Sequence, residues 1–459
     1  MKLIAFLIML ALSCYLIKYL INTNEYIISI ELLAVLTSIF LGIIIMTNKL
    51  DPKIFIWLLI VDMVWGNPIT QITLWFPFLS INTIIAIIIL CTAIYKKRLR
   101  LYFKEPLTYM LLIFYFYAIS SILWMPEPTY TSDHFKIFSN VIFYFLVLTY
   151  FRNSKSIERG SVIIIIACTI LALWGIIFTT SRDQISFSNR TSIQSLNAVY
   201  FAFSCWLALP FLLGKLHAYY TSRKKIILLF VGSILIYAVI GSRSRGVIIV
   251  LFFTLLVYLL LNRRKISAFK TITLFVTSVT ILFIYLSAQN FSDLIEIFPD
   301  SFYDIFNPEA RKLSGRQHFY YAAINMFKEK PLFGWGFQQF PEYWGSFTNV
   351  QVRDVIAMHR SSTHSVYLQT LAELGITGLL FYISLFIISY YNIYIALRFS
   401  IDIKNIELYS IALIAAMGIT GFAIHSLIDN SGWYNRTFMF FMALSVILKK
   451  EALKMHKQR

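Results

Sequence analysis

Residues 363–375 read THSVYLQTLAELG, from Thr363 to Gly375, and they mark the main boundary in the chain. The longest polar stretch of the sequence, at about 289–363, returns to apolar sequence here. His364 is therefore predicted to lie where membrane meets water. A neutral imidazole in such a place is one of the few groups that can take a proton from a hydroxyl near neutral pH.

The composition excludes a soluble globular domain. Apolar residues make up 59% of the chain and charged residues only 14%, and the mean hydropathy is +0.72, far from globular averages. Because a helix crosses roughly 30 Å of hydrocarbon with about 20 apolar residues, the sequence predicts an all-α polytopic bundle of about 12–14 transmembrane helices with one large helical extracytoplasmic loop. The apolar runs lie at about 3–21, 26–46, 54–66, 79–95, 106–125, 137–151, 161–180, 198–216, 226–241, 247–261, 271–288, 374–397, 406–428 and 437–448.

The orientation follows from the loops in which Lys and Arg collect. Alternate loops are basic, and the positive-inside rule puts them in the cytoplasm together with both termini. The polar loop at 289–363 and the short turn at 242–246 then face outwards. The net charge of +18 is interpreted as a topology signal and an attraction for anionic lipid, so no nucleic-acid partner is expected.

The sequence predicts three parts and no bound cofactor. Residues 1–225 form N-terminal transmembrane helices, residues 226–448 form a catalytic region that includes the outer loop 289–363, and residues 449–459 form a basic cytoplasmic tail. The four cysteines all lie in apolar runs without metal-ligand spacing. A Gly-rich phosphate loop is also missing, so the energy for any reaction must come from an activated substrate or a gradient.

The outer loop contains a predicted helix that begins near Ser314-Gly315-Arg316. Apolar residues from Phe319 to Phe327 have helical spacing, and Pro331, Gly334 and Gly336 end the helix. Arg316 lies in its first turn. It is either a surface arginine beside a structural helix or part of an anion site built from a guanidinium and free helix N–H groups.

A second basic feature is the turn Gly241-Ser242-Arg243-Ser244-Arg245-Gly246 between two short apolar runs. Two guanidiniums near bilayer depth are costly without a partner. They either extend to lipid phosphates or hold a diphosphate. Arginine suits the second role because its planar group contacts two phosphate oxygens at once.

These elements together resemble the O-antigen ligase and polymerase family. The resemblance rests on Ser244-Arg245-Gly246 after a membrane helix, on the helix from Ser314-Gly315-Arg316 to Pro331-Leu332-Phe333-Gly334-Trp335-Gly336, and on His364 to Gly375 with its continuation to Gly378. It covers roughly 226–400, while the N-terminal half agrees only in hydropathy.

The resemblance implies a metal-independent, GT-C-type glycosyltransferase on the outer face of the bacterial plasma membrane. Its donor would be an undecaprenyl-diphosphate-linked oligosaccharide and its acceptor a glycan hydroxyl. Arg245, with Arg243, and Arg316 would bind the diphosphate, and His364 would be the general base of an inverting transfer. Which of Arg243 and Arg245 is the equivalent arginine stays open. A chain-length regulator protein is a further candidate partner, beside the lipid bilayer.

Several other residues are candidates for a glycan or acceptor groove. His318 lies in the outer loop, and His425 could pair with Asp429 or line the groove. Trp335 belongs to a set of aromatic residues that suits either sugar stacking or a membrane-interface belt. Glu373 and Gln369 are expected to serve helix packing, although a catalytic role is the alternative.

Two functions within the family share these motifs. A polymerase joins lipid-linked repeat units, whereas a ligase moves the finished glycan onto the lipid A core. The family's ligases also carry, in the outer loop, an arginine that is followed after three residues by leucine. No leucine occupies that position after any arginine of this loop, namely Arg311, Arg316, Arg353 and Arg360. The sequence therefore favours a polymerase over a ligase, and a transporter or flippase is the third alternative.

Overall fold

The computed structural model describes eleven stretches of the chain, and all the regular structure in them is helical. They are 53–65, most of 86–94, 102–126, 132–151, 153–177, 198–218, 222–242, 244–262, 316–348, 362–429 and 435–458. The helices are α1 Lys53–Trp65, α2 Pro106–Ser120, α3 Ser132–Tyr150, α4 Ser154–Ile177, α5 Ala198–Ala218, α6 Ser222–Gly241, α7 Arg245–Asn262, α8 Arg316–Glu329, α9 Phe340–Tyr343, α10 Val366–Asp402, α11 Ile406–Ile428 and α12 Arg436–Lys457.

The described helices confirm the predicted all-α membrane protein. Six of them are long and apolar enough to span a bilayer, namely α2 with the turn that follows it, α4, α5, α6, α10 and α11. Two shorter apolar helices, Ile137–Tyr150 and Gly246–Asn262, accompany them. The predicted runs at 3–21, 26–46 and 271–288 lie outside the described residues, so the total of fourteen spans stays a prediction.

Helices α5 and α11 form the centre of the described bundle, and they are its most enclosed spans. Glycines let them approach their neighbours closely, since a Cβ at Gly421 would overlap the indole of Trp206, and one at Gly418 would overlap the ring of Phe441. Small residues are the usual means of close helix packing in lipid, where no hydrophobic force drives helices together. Trp206 also donates from Nε1 to Thr254 Oγ1 of α7 at 2.9 Å, which ties α5 to α7.

Polar contacts join α2 and α12 at one end of the bundle. Glu105, just before α2, accepts from Lys449 Nζ at 3.0 Å and lies 3.2 Å from Lys450 Nζ. Partial burial by itself raises the pKa of Glu105, but the hydrogen bonds and charges of the two lysines outweigh it, so the pKa lies below its ordinary value. Both lysines belong to the segment predicted as a basic tail, where α12 in fact continues as a helix to Lys457.

Candidate active site

Helix α10 is interrupted at Gly375, and this break positions the outer loop. Gly375 has φ 64° and ψ −168°, a combination that is essentially confined to glycine. The sequence predicted an apolar run that starts at 374, but the helix begins at Val366, and its first nine residues form a separate segment before the break. The difference arises because hydropathy detects the apolar run and not the amphipathic turns that precede it.

The loop at 331–336 replaces the hydrogen bonds that the break removes from α10. Trp335 N–H donates to the Ala372 carbonyl at 3.1 Å, and Gly336 N–H donates to the Glu373 carbonyl at 2.7 Å. On the other side of the break, Ile376 N–H donates to the Pro331 carbonyl at 2.9 Å. Backbone groups near the membrane need such partners, because no water replaces them there. The loop at 331–336 is thereby hydrogen-bonded to both segments of α10.

Residues of the N-terminal half complete this junction. Tyr117 donates from its hydroxyl to the Leu374 carbonyl at 2.9 Å, and Trp124 Nε1 donates to the Phe333 carbonyl at 3.3 Å. Ser121 Oγ accepts from Phe337 N–H at 2.8 Å. The sequence did not predict these contacts, since hydropathy periodicity carries no information about pairs separated by more than 200 positions.

Glu373 and Gln369 are buried packing residues at the same junction. Glu373 Oε1 accepts from Gln369 Nε2 at 2.9 Å and from Phe340 N–H at 3.3 Å. Glu373 is fully enclosed, so its side chain joins the first segment of α10 to the start of α9. The contacts agree with the structural role favoured from the sequence.

His364 lies in the turn directly before α10. Its φ of 54° falls in the left-handed region, which is uncommon for residues other than glycine and is often found at functional sites. The neighbours are buried and bonded to each other, because Thr363 Oγ1 donates to the Ser365 carbonyl at 2.6 Å and accepts from Ser365 N–H at 3.1 Å. The imidazole, in contrast, is 36% exposed.

Asp429, at the end of α11, lies between two imidazoles. Its Oδ1 is 4.0 Å from His364 Nδ1, and its Oδ2 is 3.7 Å from His425 Nε2. Both distances exceed direct hydrogen bonding, so the three groups interact electrostatically or through a bridging water. The side chain of Asp429 is only 16% exposed, and this reduces the screening of its charge by solvent.

His425 supports Asp429 from inside the bundle. The pairing of His425 with Asp429 considered from the sequence is present, one helical turn apart. The imidazole of His425 is fully buried, with its ring centroid 4.0 Å from that of Phe203 in α5. A role for His425 in an acceptor groove stays a prediction.

The helices that begin at Arg245 and Arg316 both start near His364 and Asp429. Phe319, one turn after Arg316 in α8, has its ring 5.9 Å from that of His364. A Cβ added to Gly246, next to Arg245 in α7, would lie 3.5 Å from Ile428, the residue before Asp429. Arg243 and the side chains of Arg245 and Arg316 lie outside the described residues, so their roles stay predictions.

The two remaining groove candidates, His318 and Trp335, also belong to the outer loop. His318 is exposed in α8. Trp335 donates from Nε1 to the Met326 carbonyl at 3.0 Å, and Lys330 Nζ lies 4.1 Å from the centroid of its ring. The ring also packs against Tyr343 and Phe347 of the same loop, with centroid distances of 5.2 Å and 5.1 Å. Whether it also stacks on sugar stays a prediction.

A known family model matches the region that contains the three motifs. Residues 228–383 match the family model described as O-antigen ligase. This match supports an assignment to the O-antigen ligase and polymerase family. No curated protein matches the chain. The family match begins in α6 and ends in α10, so it includes Arg245, Arg316 and His364 but not Asp429.

The match supports a glycosyltransferase-like membrane enzyme with a role in surface polysaccharide ligation or polymerisation. The contacts of Tyr117, Ser121 and Trp124 with the loop 331–337 extend the structural support of this region into the N-terminal half. The His364 turn depends in addition on α11, beyond the match. The candidate site is therefore built from a larger part of the chain than the matched residues 228–383.

Gly375→Ala tests the junction between the outer loop and α10. We expect a destabilisation of at least about 2 kcal/mol, because alanine strains this backbone region and its Cβ would overlap the Leu332 carbonyl. The melting temperature of the purified protein in detergent should fall by several degrees, together with glycan transfer. Ile387→Ala, on the exposed face of α10, is the control and should melt almost normally. Normal stability of Gly375→Ala would contradict the junction.

Proposed function

We propose that this protein is a glycan polymerase on the outer face of the bacterial plasma membrane. It transfers an oligosaccharide from an undecaprenyl-diphosphate carrier to a hydroxyl of a second glycan, with inversion at the anomeric carbon. The observation that carries the proposal is the His364–Asp429 pair, in which a partly exposed imidazole adjoins a carboxylate near the starts of α7 and α8. The family match supports the class of reaction.

His364 acts as the general base in this proposal. Its Nδ1 faces Asp429, which leaves Nε2 for the acceptor hydroxyl. Nε2 takes the proton while the acceptor oxygen bonds to the anomeric carbon and the bond from that carbon to the diphosphate oxygen breaks. The bonding electrons leave with undecaprenyl diphosphate. Asp429 offsets the positive charge that the imidazole gains, as the third group of such arrangements does.

The arginines neutralise the departing diphosphate in this scheme. Arg245, with Arg243 beside it, and Arg316 are assigned to it because α7 begins next to Ile428 and α8 begins one turn before Phe319. The free N–H groups at the start of α8 add partial positive charge. Since the donor carries its own leaving group, the reaction needs neither ATP nor a metal ion.

The substrate surface would extend from His364 along the outer loop. We assign Trp335 and His318 to this surface because both belong to the described part of that loop. His425 would act indirectly on the reaction, by supporting Asp429. With the active site on the outer face, both termini lie in the cytoplasm, as the positive-inside rule requires.

Ligase activity is the second candidate, because the matching family model carries that description. The absence of the ligase arginine-leucine element in the outer loop favours the polymerase. The two activities differ in their acceptor, since the polymerase elongates a lipid-linked glycan and the ligase uses a lipid A core sugar.

His364→Ala should abolish glycan transfer while the protein remains in the membrane at its normal level. The loss of a general base costs about 100- to 10,000-fold in rate, whereas this partly exposed imidazole contributes little to the packing of the bundle. Asp429→Asn, which keeps the shape but removes the charge, should lower the rate at least about tenfold. The measurement is transfer from purified lipid-linked oligosaccharide in detergent. His456→Ala, near the end of α12, serves as the control, and activity in His364→Ala equal to this control would exclude the base.

Arg245→Lys and Arg316→Lys should fail nearly as badly as the alanine variants if the guanidiniums contact two phosphate oxygens each. Lysine keeps the charge but loses the planar geometry. The same transfer assay, run with a chelator, measures the effect. Full activity of both lysine variants would remove the diphosphate role, and a requirement for added magnesium would assign the leaving-group charge to a metal instead.

A deletion strain separates the polymerase from the ligase. Loss of a polymerase should leave single repeat units as the longest glycan on the cell surface, seen as one band by gel electrophoresis of the surface polysaccharide. Long chains that accumulate on the undecaprenyl carrier would instead identify a ligase. Unchanged glycans would contradict both activities.

A further inference from the structure

A groove opens at the end of the bundle opposite His364. It has a volume of about 510 Å³ and lies between the ends of α5, α7 and α10 and the start of α11. Helix α7 begins beside Ile428 and ends in the groove at Asn262, while α11 begins in the groove and ends before Asp429. The groove and the candidate active site thus lie at opposite ends of these helices, and the lining of the groove is mostly apolar.

Tyr409 of α11 fixes one wall of the groove. Its hydroxyl donates to the carbonyl of Leu261, near the end of α7, at 2.8 Å. Its ring lies 5.3 Å from that of His217 at the end of α5. These contacts hold three helix ends together, so the groove is a formed feature of the described bundle.

Asn262 places a buried acceptor in the groove. The residue is only 3% exposed, and its Nδ2 donates to the Tyr258 carbonyl at 2.9 Å. Its Oδ1 has no hydrogen-bond partner within the described part of the chain. A buried oxygen without a donor costs free energy and calls for an explanation. A ligand that donates a hydrogen bond from the groove would provide one.

Lys404 supplies positive charge at the rim. It lies in the turn between α10 and α11, its φ is 53°, and it is exposed. An apolar groove with a cationic rim at the end of membrane helices complements an anionic headgroup on an acyl chain.

We propose that this groove binds an anionic glycerophospholipid whose headgroup carries a hydroxyl. The phosphate lies at Lys404, the headgroup hydroxyl donates to Asn262 Oδ1, and an acyl chain lies along Leu260, Ile401 and Ile406. Phosphatidylglycerol meets each of these requirements. Phosphatidylcholine lacks both the net negative charge and the hydrogen-bond donor.

The bound lipid acts on the two helices that carry the candidate active site. Lys404 and Asn405 form the turn that joins α10 to α11, and Asn405 caps α11 by accepting from Leu408 N–H at 2.9 Å. A lipid that bridges this turn to the end of α7 stabilises the packing of the three helices. The site is therefore structural and does not depend on the proposed glycan chemistry.

Lipid titration of the purified protein in detergent tests the proposal. Binding is followed by native mass spectrometry and by the melting temperature, with dioleoylphosphatidylglycerol as the probe. Lys404→Glu should weaken its affinity by about tenfold or more, because it reverses the charge beside the phosphate. Asn262→Leu should weaken it several-fold. Lys155→Glu, an equally exposed change at the start of α4, should leave the affinity unchanged.

Three outcomes would overturn the proposal. They are an unchanged affinity in Lys404→Glu, equal binding of dioleoylphosphatidylcholine, and a rise in melting temperature with inorganic phosphate as large as that with the lipid. Lys404 is exposed, so its variant folds even if Asn262→Leu does not. Selective loss of phosphatidylglycerol binding in Lys404→Glu, with Lys155→Glu unaffected, would establish the site.

Discussion

The exchange of backbone hydrogen bonds at Gly375 is the constraint on which the candidate site depends. A helix that breaks near the membrane leaves carbonyls on one side of the break and N–H groups on the other. The loop at 331–336 satisfies both sets, from Ala372 and Glu373 to Ile376. Both backbones approach so closely that glycine is required at Gly334 and Gly375. The outer loop is consequently fixed to α10.

This junction determines where the chemical groups lie. The first segment of α10 is held by Glu373, and the turn with His364 directly precedes it. Helix α8 leads into the same loop, so Phe319 reaches the ring of His364. Asp429 lies at the end of α11, the helix that follows α10, and its carboxylate faces the His364 imidazole. The arrangement places an imidazole, a carboxylate and the starts of two arginine-bearing helices at one end of the bundle.

The sequence predicted much of this fold, and its failures have physical causes. Apolar runs located the membrane helices, and Arg316 to Pro331 was correctly predicted as a helix with its end. The apolar run marked only the segment of α10 after the break, because residues 366–374 are only partly apolar, although Gln369 and Glu373 were expected to lie in a helix. The contacts of Tyr117 and Trp124 were missed because hydrogen bonds across the fold leave no periodic signal. Asp429 was noted only as a partner of His425, since its distance to His364 depends on how α10 and α11 pack.

The order of the two partners in the chain also matters for biogenesis. Pro331 precedes Gly375, so the loop is synthesised before the helix whose break it completes. The second segment of α10 can then enter the bilayer with partners for its first N–H groups already available. A chain in which the loop followed the helix would have to insert α10 with those groups unsatisfied. The linear sequence thus encodes an assembly order in addition to a final structure.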